Sequence, residues 1–253
     1  MGKWPRQAWR IWWGDWWNAV AFLTTLPAPR VPFPPDGLGR AAVWFPAVGL
    51  LIGLALCLVA WVAHYLFDPW LAGALVVAAW AALTGALHLD GLADCCDGLF
   101  APVPPERRLE ILRDPRVGGF GAVGLILHLL LKSAAAGSAP AAALLLAPAW
   151  ARWLLLIAAR QPQARRTGMG ASFAAGLTPG ALAIAALLPL ALAIILAPLR
   201  GGAALLVALA AVWAALALAR RWLGGVTGDV YGLVVELAEL AALLVFAAQP
   251  LGG

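Results

Sequence analysis

Three aspartates fall within eight residues in HLDGLADCCDG, residues 88–98, of a chain that is 64% hydrophobic and only 11% charged. Asp90, Asp94 and Asp97 are spaced by four and three residues, which on a helix confines them to an arc of roughly 60°. Anions packed that closely repel one another. A hard divalent cation, magnesium or manganese, is the natural partner, because it takes oxygen ligands and bridges carboxylates to phosphates. Gly91 and Gly98 weigh against an unbroken helix here and would let a ligand approach the backbone.

A second acidic group lies in GDVYGLVVELAEL, where Asp229 and Glu236 share a helix face and Glu239 follows one turn on. Asp229 suits a helix N-terminus, where negative charge complements the macrodipole. Glu236 and Glu239 lie deeper in an apolar helix, which makes them functional candidates. Between the two groups, PPERRLEILRDPRVGGFG (residues 104–121) sets Arg113 and Arg116 around a proline turn, with Gly118, Gly119 and Gly121 close behind. Arginine forks match phosphate oxygens, and glycines expose N–H groups at a helix start, where anions are favoured. The spacing is not that of a Walker A loop. Arg107 and Arg108 either meet phosphate as well or belong to a basic loop that only sets topology. Lys132 either snorkels or binds phosphate. Arg152 either neutralises an acidic partner or binds phosphate, and Arg165 joins the phosphate candidates. His88 reads as a satisfied structural residue, and His64 and His128 as packing residues. Together the carboxylates and arginines suit phosphoryl transfer, which needs positioning and charge neutralisation more than covalent chemistry.

The elements that must position these residues are membrane helices. A bilayer core about 30 Å thick takes about 20 apolar residues per helix, and segments near 41–67, 70–89, 120–136, 141–158, 181–199, 203–219 and 231–248 qualify. The expected fold is all-α: a polytopic bundle of about seven transmembrane helices forming one integral-membrane domain over 1–253. Residues 1–40 would be an interfacial or cytoplasmic N-terminal segment, and 41–248 the bundle. MGKWPRQAWRIWWGDWW lacks the pattern of a signal peptide, and its tryptophans and basic residues suit the headgroup layer. Pro46, Pro148 and Pro189 are expected to kink spans. Cys57, Cys95 and Cys96 read as reduced packing residues, and no nucleic-acid motif is present.

Counting basic residues in alternate loops gives one side Lys3, Arg6, Arg10, Arg30 and Arg40, then Arg107, Arg108, Arg113 and Arg116, then Arg160, Arg165 and Arg166, then Arg220 and Arg221. These are fourteen of the 17. The positive-inside rule makes that side cytoplasmic. Both acidic groups fall on it.

LHLDGLADCCDG, LEILRDPRVGGFG and TGDVYGLVVELAEL, in that order, resemble the cobalamin synthase family, the adenosylcobinamide-GDP ribazoletransferases. Weaker similarity in FLTTLPAP and WFPAVGLLIG extends the resemblance over most of the chain. It implies a Mg²⁺-dependent enzyme of the cell inner membrane whose N-terminus and active site face the cytoplasm. That enzyme would join α-ribazole, or its 5′-phosphate, to adenosylcobinamide-GDP with release of GMP. The family's motifs fall on Asp90, Asp94 and Asp97, on Arg113, Asp114, Arg116, Gly118 and Gly121, and on Asp229, Glu236 and Glu239. On this reading Asp90, Asp94, Asp97 and Asp229 hold metal and Arg113, Arg116, Gly118, Gly121, Lys132, Arg152 and Arg165 meet phosphate. Glu236 or Glu239, with Asp97, completes the catalytic set, a glutamate removing the hydroxyl proton. The partners implied are corrinoid nucleotide and ribazole substrates and the lipid bilayer, with a homo-oligomer or association with other corrinoid-assembly enzymes left open. Thr25 stands where an arginine is expected, which moves any role for that arginine to Arg30. A CDP-alcohol phosphotransferase and a cation-coupled transporter are the competing classes. The first lacks its aspartate spacing here, and the second lacks an inverted repeat.

Overall fold

The computed structural model describes residues 4–32, 37–165 and 167–249, and Lys3 and Arg166 of the basic count lie outside them. Helices in chain order are α1 (Trp4–Leu23), α2 (Gly37–Ala41), α3 (Phe45–Leu66), α4 (Pro69–Thr84), α5 (Leu87–Phe100), α6 (Pro105–Ile111), α7 (Gly119–Gly137), α8 (Ala141–Ala159), α9 (Met169–Gly176), α10 (Pro179–Leu196), α11 (Pro198–Leu223) and α12 (Gly228–Ala247). Six are long and apolar enough to cross a bilayer, α3 (with α2), α7, α8, α10, α11 and α12, and the bent pair α4–α5 counts as a seventh when taken as one span. The protein is thus a polytopic all-α membrane protein. The long helix α1 carries exposed Trp9, Trp12 and Trp13 on one face and tucks Ala19, Val20 and Leu23 into the bundle.

α8 and α12 form the centre: 72% and 78% of their most apolar windows are buried, against 22% for α10. α3 packs closely on α8 because Gly49 and Gly53 present no side chain; a Cβ on either would stand within 2.6 Å of the Pro148 or Leu144 carbonyl oxygen. Small residues are the usual way for membrane helices to approach. Pro148 and Pro189 lie inside α8 and α10, whereas Pro46 sits in the first turn of α3, where its missing N–H interrupts nothing.

The largest departure from expectation is the second span. Helical spacing predicts one span over 70–89 that carries the aspartates on its end. Instead α4 stops at Thr84, Gly85 and Ala86 both take left-handed backbone angles (φ 61° and 55°), and α5 leaves at 97° to α4. Two consecutive residues in that region turn the chain through about a right angle, and Ala86 accepts it at a cost of about 1–2 kcal/mol. Thr25 pins the corner: its N–H donates to the Leu83 carbonyl and its hydroxyl to the Ala82 carbonyl, at 2.8 and 2.9 Å. With 14 residues, about 21 Å long, α5 is too short to cross a bilayer. It lies across the end of the bundle.

Candidate active site

α5 runs as a continuous helix through Gly91 and Gly98, so the three aspartates do share a stripe. What approaches those glycines is protein. A Cβ on Gly91 would sit 2.6 Å from the Asp229 carbonyl oxygen, and one on Gly98 would meet Leu112. Gly91 therefore lets α5 lie against the start of α12, and this contact brings the two acidic groups together. Asp90 and Asp229 line one cavity of about 170 Å³.

Asp97 has a separate task. One oxygen accepts the Gly118 N–H at 2.7 Å and the other the Gly121 N–H at 2.8 Å. It caps α7 from a neighbouring helix, since Gly118 has no side chain with which to do so. A Cβ on Gly118 or Gly121 would come within 2.5 Å of the Asp97 carboxylate. The two glycines, expected to meet phosphate, instead give their first-turn donors to Asp97. Asp114 and Arg116 of the same loop form a two-point ion pair (2.9 and 2.6 Å) that holds the Asp114 carboxyl down to about 2. Arg113 is exposed. Arg108 is buried: it donates to the Gly98 and Leu99 carbonyls at 2.8 and 2.7 Å and stacks on Trp222, closing the C-terminus of α5.

The carboxylates of Asp90 and Asp94 form no hydrogen bond or salt bridge with the described residues. Partial burial, with Asp90, Asp229 and Asp97 nearby, pushes the Asp94 carboxyl up to about 6, and only Arg165 opposes this. Arg165 stands 3.8 Å from Asp229 and donates to the Leu109 carbonyl, while its Nε is buried without a partner. Among the described residues no three carboxylate, imidazole or thiol groups converge closely enough to hold a metal by themselves.

Glu236 and Glu239 lie about 10 and 15 Å farther along α12, in a separate layer. Glu236 meets His128 at 2.7 Å and Lys132 at 2.6 Å; Lys132 reaches Glu239 at 2.5 Å, and Arg152 closes on the other Glu239 oxygen. All five are 5% exposed or less. Lys132 also lies 4.2 Å over the Trp80 ring. Lys132 and Arg152, expected on phosphate, thus serve as counter-ions to the two glutamates expected to act as bases. Their helices α7, α8 and α12 converge at this depth, which linear spacing cannot reveal.

Apart from Arg165, the sequence marked no site residue in the segment between α8 and α10. Val226 and the 162–164 strip exchange backbone hydrogen bonds of 2.8 and 2.9 Å, and the Tyr231 hydroxyl donates to Gln163 at 2.8 Å, which pins this segment onto the start of α12. A second hollow, of about 190 Å³, opens here, sharing Asp229 and Gly170 with the first and adding Arg165 and Thr227. Arg165 followed by Thr167-Gly168-Met169-Gly170 was the available signal.

The structure is that of a polytopic helical membrane protein with an acidic, arginine-bordered opening at one end of its bundle. Residues 15–247 match the family described as Cobalamin-5-phosphate synthase, and the chain belongs to that family. The protein of Roseiflexus sp. (strain RS-1) named adenosylcobinamide-GDP ribazoletransferase is 42% identical over 246 residues, covering 92% of this chain and 90% of its own. Proteins of the same name from Thiobacillus denitrificans and Klebsiella pneumoniae are 41% and 37% identical, covering 89% of this chain and 92% and 96% of their own. No solved structure matches.

Proposed function

We propose that this chain is an adenosylcobinamide-GDP ribazoletransferase working at the acidic opening. A ribazole hydroxyl attacks the phosphorus nearer the cobinamide arm; the new O–P bond forms, the phosphoanhydride bond breaks, and GMP leaves. The observation that carries the site is that Asp90, whose carboxylate has no partner among the described residues, and Asp229, bridged to Arg165, line two adjoining hollows, with Asp94 close enough to feel both charges.

The donor set fits magnesium, which binds through one or two carboxylates plus substrate phosphates more often than in an all-protein cage. Asp90 and Asp229, from two helices fixed by the Gly91 contact, would hold it. When bound, it neutralises charge on the diphosphate. Arg165 orients the diphosphate from the other side of Asp229, its unpartnered Nε being free to donate. Asp94 takes the hydroxyl proton: it has no counter-ion of its own among the described residues, and partial burial makes its carboxylate more basic than a free one. Asp97 holds the glycine turn, and the buried glutamates hold the helices. The basic loops favour a cytoplasmic opening in the inner membrane.

The test is GMP release from adenosylcobinamide-GDP and α-ribazole phosphate by protein in lipid. Asp90→Asn and Asp229→Asn should raise the magnesium needed for half-maximal rate. Asp94→Asn should lower kcat and leave that requirement unchanged. Wild-type turnover unaffected by a chelator would sink the metal assignment.

A further inference from the structure

The cavity of about 170 Å³ beside the acidic opening has a chemistry of its own. Phe22, Leu155, Met169 and Phe173 supply apolar walls, and Asp90 and Asp229 stand at its polar side. The aromatic walls are rigid: Phe22 stacks on Phe45 at 5.8 Å, Phe45 stacks on Phe173 at 5.5 Å, and Tyr231 meets the edge of Phe173. One polar group interrupts the apolar lining. His88 is 4% exposed, and its Nε2 is buried with no partner. A buried polar atom left unpaired costs about 1–3 kcal/mol, so native structures rarely keep one without a reason. A neutral imidazole offers one donor and one acceptor nitrogen.

Size limits the occupant. An apolar cavity of about 150 Å³ holds a benzene ring, so this one, at about 170 Å³, takes a flat aromatic ring system and excludes a corrin or a whole nucleotide. Resting on the ribazoletransferase reading, we infer that this cavity seats the heteroaromatic base of the nucleoside acceptor, with His88 bonded to its free ring nitrogen. Both substrates carry a flat bicyclic base. Guanine would bring several donors and acceptors, and the apolar walls would leave most of them unpaired at a cost. A benzimidazole-type base has one free ring nitrogen and an otherwise apolar rim, which matches one unpartnered imidazole nitrogen in an aromatic slot. With the base seated there, the attached ribose falls at Asp90 and Asp229, beside the carboxylates assigned to the reaction.

The experiment compares KM for the acceptor and for adenosylcobinamide-GDP in wild type, His88→Phe and Leu155→Ala, each in lipid. The acceptors are benzimidazole α-riboside, its indole analogue, in which the free ring nitrogen becomes C–H, and a naphthimidazole α-riboside. Wild type should prefer benzimidazole over indole by about tenfold, as a lost hydrogen bond predicts, and His88→Phe should erase that preference by raising KM for benzimidazole alone. Leu155→Ala, which widens the slot, should gain turnover with the naphthimidazole riboside. Such a gain cannot arise from misfolding. If KM for adenosylcobinamide-GDP rises while acceptor selectivity stays put, the slot holds guanine and the inference is overturned. Unchanged selectivity in both variants overturns it as well. If wild type releases no GMP with any acceptor, the ribazoletransferase reading itself falls and takes this one with it.

Discussion

The protein carries charge in two layers that differ in nearly every physical respect. At the end of the bundle, Asp90, Asp94 and Asp229 face an opening with Arg165 as their main neighbouring cation. About 10–15 Å deeper along α12, Glu236 and Glu239 are matched by Lys132 and Arg152, with His128 completing the set. An un-neutralised layer demands a cation from outside and so can serve a ligand. A layer whose carboxylates are matched by internal cations ties its helices together, here α7, α8 and α12. Depth alone would rank the glutamates as the more functional carboxylates, since ionisable groups inside a membrane are costly. Neutralisation decides otherwise.

The comparison can be broken first at the deep layer. Lys132→Met leaves two buried carboxylates to Arg152 and should cost about 3–5 kcal/mol, seen as loss of folded protein or a large drop in melting temperature in detergent. Removing Glu236 as well, as Lys132→Met with Glu236→Leu, should restore part of that loss, because the Arg152–Glu239 pair is left intact. Equal instability in the double variant would show that the network is not a charge balance.

At the opening, Asp94→Asn should lower GMP release by about 10²-fold or more with the melting temperature held or raised, since a charge crowded by other carboxylates is removed. In wild type the rate should fall as the pH is lowered and Asp94 becomes protonated, with the inflection moving to lower pH as magnesium neutralises Asp90 and Asp229. The variant should lose that inflection. A pH profile common to both proteins would remove Asp94 from proton transfer. Asp97→Asn should fall between the layers: it keeps one acceptor for two N–H donors and should cost about 1 kcal/mol, as a weakened cap does, with a partial loss of rate as the glycine turn loosens. The smallest effect is expected at the corner. Ala86→Gly relieves the left-handed strain and should alter stability by about 1 kcal/mol or less, leaving GMP release intact.

Much of this was legible in the residues. Periodic apolar runs gave six of the spans to within a few positions, and loop charge placed both acidic groups at one end, where the Gly91 contact does join Asp90 to Asp229. The aspartate stripe was readable because a four-three spacing has one meaning on a helix. The break at Gly85 and Ala86 was not. Alanine gives no hint of a left-handed backbone, and the corner depends on Thr25, 57 and 58 residues away from its partners. The glycines of the arginine loop carried a true signal of close approach with the wrong visitor, since exposed N–H groups attract a carboxylate as readily as a phosphate.

By itself the sequence determined that this chain is a multi-helix membrane protein, where its carboxylates lie along each helix, and which end of the bundle its aspartate stripe shares with Asp229. Those properties follow from hydrophobic length and helical periodicity, which are local. The tertiary structure alone decided which carboxylates remain un-neutralised. Whether an aspartate meets a backbone N–H, a lysine or open space depends on helices up to 108 residues apart along the chain, as with His128 and Glu236. Electrostatic fate is a property of neighbours in space.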